Sequence, residues 1–505
     1  MIFLKRLMKK IFNRTTICVF GIVVQIGYFS SLCLGLGFRY NVSYLIFQLL
    51  GVVVSMFIVN SDINPSYKIA WILVIMAFPI FGVMFFIFFG NRRSANRLRR
   101  KMRAYVDEER QVLTQNREQG LPCSIKRQTE YLLKHGFPAY ENTKTTFFSC
   151  GEKKFEAMLE ELEKAESFIY LEYFIIGKGK MWNSILEILV RKAKAGVDVR
   201  LIYDDIGCLL TLPGGYDKTL ERLGIKCRVF NKFKPVISTR MNNRDHRKIL
   251  VIDGNIAFTG GINLADEYIN EYEKHGHWKD TAVMLKGSGA QSFSVMFLTM
   301  WNYLSEADPR GYPRFTLNEK TSENGFVVPF TDSPLDDEPI GENVYLNIIN
   351  DAQDYVYITS PYLVIDNEMQ NALTLAAKSG VDVRIITPHI PDKWFVHAVT
   401  RAHYRKLTSL GVKIYEYLPG FIHSKTFVSD DSTAVVGTIN LDYRSFYLHF
   451  ECAALLYKTD CIADMKADFL KTLDECEEVT YDDCLSVNIF VRALRMILKL
   501  FSPLM

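Results

Sequence analysis

The residues that could do chemistry in this chain come in two matching sets. His246, Lys248, Asp253, Gly260 and Asn263 form one, and His423, Lys425, Asp430, Gly437 and Asn440 form the other, at the same offsets from the histidine. With nine histidines in 505 residues, His-x-Lys-x4-Asp should arise by accident roughly 0.03 times per chain. Two copies with matching Gly and Asn are therefore a duplication. A duplicated structural hairpin would not explain why the repeated positions are the reactive ones. An imidazole and an ammonium two residues apart on a strand face the same side. Together they suit a phosphate: Lys supplies charge and donors, and His can attack or carry a proton. Asn263 and Asn440 can donate amide hydrogens to phosphate oxygens. Gly260 and Gly437 would let the backbone pass close to a ligand. Asp253 and Asp430 belong to the catalytic motifs but sit at an odd offset, Asp253 beside Gly254 in a tight-turn signal, so they read mainly as turn-holding residues.

One hairpin is half a site. Two such halves face to face would place two His, two Lys and two Asn around one phosphorus atom. One His could then be the nucleophile and the other the acid, given unequal environments. Two lysines can stabilise the developing charge. No His-His spacing or acidic cluster asks for a metal, and the expectation is no metal and no cofactor.

The elements that must position these residues also repeat. Phe168–Phe174 reads as a strand, Met181–Ala195 as a helix stopped by Gly196, and Val197–Tyr203 as the next strand. Tyr355–Thr359, a helix to Ser379, Gly380 and Val381–Ile386 repeat that order. Ala-Lys-Ala-Gly-Val-Asp-Val-Arg at 193 returns as Ala-Lys-Ser-Gly-Val-Asp-Val-Arg at 377. Strands alternating with glycine-ended helices predict an α/β fold of two tandem βαβ halves, residues 141–315 and 325–480. Asp308–Glu338, rich in Pro, Gly, Asp and Asn, is the expected seam.

Ahead of the halves lie three apolar runs, Thr15–Phe38, Tyr40–Ser61 and Ile69–Asn91. Each exceeds the ~20 residues that cross a bilayer as a helix. Residues 1–92 are expected to be a multi-pass membrane region and 93–140 a basic connector with short helices. Lys5, Arg6, Lys9, Lys10 and Arg14 precede the first run, and Arg92, Arg93, Arg97, Arg99, Arg100, Lys101 and Arg103 follow the third. Both flanks prefer the cytoplasm, yet three full crossings would put them on opposite sides. The denser second flank favours a cytoplasm-facing body. So do eight cysteines scattered beyond residue 100 with no CxxC pair, which read as reduced thiols. A formal net charge of +4 excludes a basic nucleic-acid coat. At residues 485–505, Arg492, Arg495 and Lys499 share one face of an apolar helix that ends at Pro503, an amphipathic segment suited to anionic lipid.

The doubled His-x-Lys-x4-Asp pattern resembles the phospholipase D superfamily. With its apolar start, the chain resembles bacterial cardiolipin synthases of that superfamily from about Pro65 onward. The likeness includes Lys68-Ile69-Ala70-Trp71, Phe78-Pro79, Trp278-Lys279-Asp280, Ser333-Pro334 before Gly341-Glu342-Asn343, and Asn440-Leu441-Asp442-Tyr443-Arg444-Ser445. The resemblance implies two phospholipase D-like halves sharing one active site. It also implies a phosphohistidine, and conversion of two phosphatidylglycerols to cardiolipin and glycerol. It points to His246 as nucleophile and His423 as acid/base, although nothing in the spacing separates them. It further implies a downstream carboxylate that orients each histidine. Glu451 fits for the second half; the first half has Lys274 at the matching offset, leaving Asp280 as the candidate. His275 and His277 flank Gly276 near Trp278 and read as entrance-lining or bystander residues. The rival expectations are a membrane-held phospholipase D-type hydrolase or a phosphodiesterase using the same hairpins, with water as acceptor, and a lipid-binding scaffold without activity, against which both intact His/Lys pairs speak. Oligomeric state is not legible.

Overall fold

A computed structural model of the protein describes residues 21–27, 30, 41–90, 93–115, 126–233, 239–307, 312, 323–336 and 338–504. It divides into two units. One comprises Met1–Arg99, Phe233–Asn242 and Ile497–Met505; the other comprises Arg100–Lys232 and Asn243–Met496.

In the larger unit the β-branched runs become strands and the glycine-stopped segments become helices. The first half holds β1 (Thr143–Phe148), β2 (Phe168–Tyr173), β3 (Asp198–Asp204), β4 (Lys226–Phe230), β5 (Arg244–Asp245), β6 (Lys248–Ile252), β7 (Ile256–Gly260), β8 (His277–Lys279) and β9 (Ala282–Gly287). The second holds β10 (Phe326–Asp332), β11 (Tyr355–Thr359), β12 (Leu363–Val364), β13 (Asp382–Pro388), β14 (Lys413–Tyr417), β15 (Gly420–Ile422), β16 (Thr426–Ser429), β17 (Thr433–Gly437), β18 (Leu441–Asp442), β19 (His449–Tyr457) and β20 (Cys476–Val479).

The first sheet runs β1-β9-β7-β6-β2-β3-β4, and the second runs β10-β19-β17-β16-β11-β13-β14 with β20 added at its edge. The strand order is the same in both. β10 lies within the expected seam, so the second half begins inside it; most of the rest of that stretch lies outside the described residues. The helix Ala290–Ser305 is buried along nearly its whole length and packs on both the first sheet and β10.

Register decides where the histidines fall. Tyr173 at the end of β2 pairs with Lys248 at the start of antiparallel β6, and Thr359 at the end of β11 pairs with Thr426 at the start of β16. β2, β3 and β4 are mutually parallel, as are β11, β13 and β14. Both histidines therefore stand at the carboxyl edge of the parallel strands, where α/β sheets bind ligands. The seven described cysteines of this unit, Cys150, Cys208, Cys227, Cys452, Cys461, Cys476 and Cys484, are free; Cys123 lies outside the described residues.

In the smaller unit, α1 (Asn41–Val59), α2 (Pro65–Ala77) and α3 (Pro79–Phe85) pack around Ile58, Trp71, Ile75, Val83 and Phe86. The third apolar run is not one helix, contrary to the sequence expectation. Phe78 leaves helical geometry (φ −132°, ψ 72°) ahead of Pro79, which has no amide hydrogen to continue the ladder. α3 then turns back on α2. A Cβ at Gly82 would lie 2.7 Å from both the Ile75 Cα and the Val74 carbonyl oxygen, an approach only glycine permits. Buried Gln25 caps the returning helix, its Oε1 accepting from the Ile80 and Phe81 amides at 3.2 Å each. Among the described residues no helix is long and apolar enough to cross a membrane. α1, with 19 residues, is about 28 Å long against a hydrocarbon core of about 30 Å. Most of the run Thr15–Phe38 lies outside the described residues.

Candidate active site

The two motif histidines are buried in one polar cluster, each held by residues of the other half. β5 pairs in parallel with β19, and the His246 amide donates to the Phe450 carbonyl at 2.9 Å. Reciprocally, β15 pairs in parallel with β8, and the His423 amide donates to the Lys279 carbonyl at 2.7 Å. Each histidine thus lies beside the strand that delivers a carboxylate from the opposite half. His246 Nδ1 donates to Glu451 (2.9 and 3.0 Å), and His423 Nδ1 donates to Asp280 Oδ2 (2.7 Å). Pairing within each half, as the sequence offsets suggested, is therefore incorrect: Glu451 serves His246 and Asp280 serves His423.

Register explains why Asp280 and Glu451 are equivalent despite unequal offsets. Gly260 pairs with Ala282, and Gly437 with Ala453; each carboxylate lies two residues before that partner. The supporting shells differ. A Cβ at Gly261 would lie 2.1 Å from the Asp280 Oδ1, so the short carboxylate needs glycine there. Thr438 stands at the corresponding position in the second half and donates its hydroxyl to Glu451, with Ser445 Oγ adding a bond at 2.8 Å.

With Nδ1–H committed to a carboxylate, each imidazole is fixed as the tautomer whose Nε2 is free. Burial and the charges of Lys248, Lys425 and His423 hold His246 well below the usual histidine range. Burial and Lys425 depress His423 to about 4, against an upward pull from Asp280. Lys248 and Lys425 each donate to the carbonyl of their own motif histidine. Burial lowers them to about 8 and about 7.

The asparagines flank this cluster. Asn263 accepts from the Ile175 amide (3.1 Å) and donates to the Tyr268 hydroxyl (2.7 Å). Asn440 Nδ2 lies 3.4 Å from Asp442 Oδ2. Gly260 and Gly437 meet protein, not a ligand cavity: added Cβ atoms would lie 2.4 Å from the Thr281 carbonyl and 2.3 Å from the Ala453 Cβ. Their role is close strand packing, which corrects the expectation that backbone passes a ligand there. Asp253 accepts from the amides of Glu166, Ser167 and Phe168, all at 2.8 Å. Asp430 does the same for Gln353, Asp354 and Tyr355. Both carboxylates tie their turns to the start of the first parallel strand.

Sequence reasoning missed the rings beside the histidines. Trp278 lies 5.3 Å from His423, and His449 lies 5.5 Å from His246. They occupy equivalent positions, each two residues before the orienting carboxylate. Arg444 Nε donates to His449 Nε2 at 3.3 Å, and burial lowers His449 to about 3. His246, His449 and Glu451 bring three possible metal-donor atoms within 4.8 Å of one another, but the Nδ1–H of His246 is committed to Glu451. His277 donates or accepts at the Tyr417 hydroxyl (2.9 Å), and His275 lies against Trp278 (6.5 Å).

Two buried imidazoles, two lysines and a paired carboxylate for each ring define a phosphodiester-transfer site built from two halves. Residues 158–301 and 345–473 match the family model described as "Cardiolipin synthase, PLD-like domain", and residues 49–91 match the phospholipase D–nuclease N-terminal model. A protein of Streptococcus mutans described as uncharacterized is 48% identical over 89% of this chain and 99% of its own length. A cardiolipin synthase of a Geobacillus species is 34% identical over 88% of this chain and 89% of its own. The phosphatidylserine synthase structure from Haemophilus influenzae shares the fold at 14% identity, with a TM-score of 0.55 over 73% of this chain and 95% of that one. The chain belongs to the cardiolipin synthase family of phospholipase D-like proteins.

Proposed function

We propose that the chain is a membrane-bound phosphatidyltransferase that joins two phosphatidylglycerols into cardiolipin and releases glycerol. The observation that carries this reading is the reciprocal strapping of His246 to Glu451 and His423 to Asp280, in a chain whose relatives are named cardiolipin synthases. His246 Nε2 attacks the phosphorus of the first lipid. The bond from phosphorus to the headgroup glycerol oxygen breaks, and His423, which takes up a solvent proton at Nε2 as the phosphate anion binds, gives that oxygen the proton. A hydroxyl of the second lipid then returns a proton to His423, and its oxygen takes the phosphorus. The P–N bond breaks and His246 is restored. Lys248 and Lys425, with Asn263 and Asn440, hold the non-bridging oxygens.

The unequal fields support this division of roles. Burial, with Lys248 and Lys425 nearby, keeps His246 neutral, as a nucleophile must be. His423 has the carboxylate that pulls its affinity for protons upward, and an incoming phosphate anion strengthens that pull. The test is purified protein with labelled phosphatidylglycerol in vesicles, with and without a chelator. Cardiolipin and glycerol in equal amounts are expected under both conditions. Phosphatidic acid as the main product contradicts transfer and favours hydrolysis; a chelator loss restored by metal contradicts the two-lysine account.

The same reading anchors the chain in the cell membrane with its body on the cytoplasmic side. Leu45, Ile46, Leu49, Val53, Met56 and Phe57 of α1 are exposed. The C-terminal helix Ile489–Leu500 turns Ile489, Phe490, Leu494, Met496 and Ile497 outward, while Arg492, Arg495 and Lys499 are half-buried. Its bare face is therefore the apolar one, the face such a helix buries at the headgroup–acyl boundary. With the third run folded back at Phe78–Pro79, we take the first two runs as the crossings, the second as α1, whose 19 residues fall just short of the hydrocarbon thickness. The N-terminal basic flank, Lys68 and the Arg92–Arg103 cluster then share one side, leaving Arg39 on the other, in accord with the positive-inside rule. Ser66→Cys and Ser94→Cys are expected to react with an impermeant thiol reagent from the same side, read peptide by peptide. Labelling from opposite sides contradicts the fold-back topology.

A further inference from the structure

Each half closes a parallel strand with a loop on the edge that bears the histidines. In the first half, Asp204 at the end of β3 accepts from the Asp245 amide at 3.1 Å, one residue before His246. Gly207 rests on Phe174, where an added Cβ would lie 2.0 Å from the carbonyl oxygen, and the Phe174 ring stands edge-on 5.0 Å from His246. The next apolar residues, Leu209 and Leu210, are 50% and 97% exposed. In the second half, Asp392, on the loop after β13, accepts from the Tyr362 hydroxyl at 2.5 Å. Lys393 Nζ lies 5.8 Å from the same ring. Tyr362 faces Phe421, which lies 5.9 Å from His423. The next residue, Trp394, is 64% exposed.

A single exposed leucine is ordinary. These side chains are not scattered: Leu209 and Leu210 lie on the loop after β3, and Trp394 opens the helix that follows the equivalent loop after β13, each within a few residues of a wall of the same site. We propose that Leu209, Leu210 and Trp394 form an apolar rim that seats in the headgroup–acyl boundary of a lipid bilayer, with Lys393 against the lipid phosphates. A diacyl phospholipid can then present its phosphorus to His246 and His423 without its chains entering water, which would oppose the whole hydrophobic effect. Tryptophan and lysine are the residues that favour this boundary.

The inference rests on a phospholipid substrate, so its test separates the two. Full-length Leu209→Ser/Leu210→Ser and Trp394→Ala variants are compared with the unaltered protein on phosphatidylglycerol in vesicles and on a short-chain phosphatidylglycerol dispersed as monomers. Turnover is expected to fall about tenfold or more on vesicles and less than about twofold on monomers. Equal losses on both, or none on vesicles, overturn the rim. A second measurement needs no turnover. The part of the tryptophan emission that disappears in Trp394→Phe is expected to be quenched by brominated acyl chains, and an unquenched Trp394 contradicts the proposal. If the unaltered protein turns over neither lipid while Trp394 is quenched, the substrate reading fails and the rim stands.

Discussion

The two halves share a strand order and a motif, yet they do not build the same environment around their histidines. His423 has a short carboxylate from Asp280, made possible by Gly261, and an indole beside its ring. His246 has the longer Glu451, steadied by Thr438 and Ser445, and a second imidazole, His449, which takes a bond from Arg444. Each carboxylate crosses to the opposite half. Neither half can hold its own histidine, so duplication produced one site and not two. Divergence of the supporting shells gives two chemically identical rings different surroundings, which the proposed division into nucleophile and acid would use.

The largest expected effect comes from the rings themselves. His246→Ala and His423→Ala should each lower turnover by at least about a thousandfold while the protein still inserts in membranes. Substantial activity in either variant breaks the shared site. The lysines come next. Lys248→Met and Lys425→Met should each cost about a hundredfold, chiefly in the rate of the chemical step. Both ammonium groups must be charged to hold the phosphate. As pH rises through about 7 and about 8 they lose their protons, so kcat/KM should decline on that limb. Lys425→Arg should move the decline upward in pH, because a guanidinium stays charged; an unmoved limb assigns it elsewhere. Smaller still, His449→Phe makes the first histidine's surroundings resemble the second's. A few-fold loss with an altered acid limb is expected, and an unchanged pH profile leaves His449 as packing only.

The smallest effect on chemistry belongs to the turn carboxylates. Asp253→Asn and Asp430→Asn each weaken three backbone bonds. About 1–3 kcal/mol of stability should be lost, with activity per folded molecule kept. A selective loss of turnover would return these residues to the chemistry.

Much of this was legible because it repeats at short range. Val-Asp-Val-Arg at 197 and 381 reads directly as buried parallel strands, and their Asp198–Arg200 and Asp382–Arg384 pairs recur in the structure. The turn role of Asp253 followed from strand parity. The crossed carboxylates did not, because sequence offsets count loop residues and the sheet does not. The segment from Gly260 to Ala282 is longer than that from Gly437 to Ala453, so Asp280 and Glu451 look unrelated until register aligns them. Gly260 and Gly437 were readable as close approaches, but only the sheet shows that the neighbour is a strand. Pro79 stood inside the third apolar run, yet apolar composition alone cannot tell a crossing from a chain that turns back. That distinction rests on Gly82 against Val74 and Ile75.

The crossed pairing is tested most directly by trapping the covalent intermediate. Enzyme mixed with phosphatidylglycerol carrying labelled phosphorus and a good leaving group in place of glycerol would be quenched in alkali and its phosphohistidine mapped by peptide. Glu451→Gln, which disables His246, should show little label. Asp280→Asn, which disables His423, should accumulate label on the His246 peptide and pass it to the second lipid slowly. Label on the His423 peptide, or a reversal of the two variants, would contradict the account.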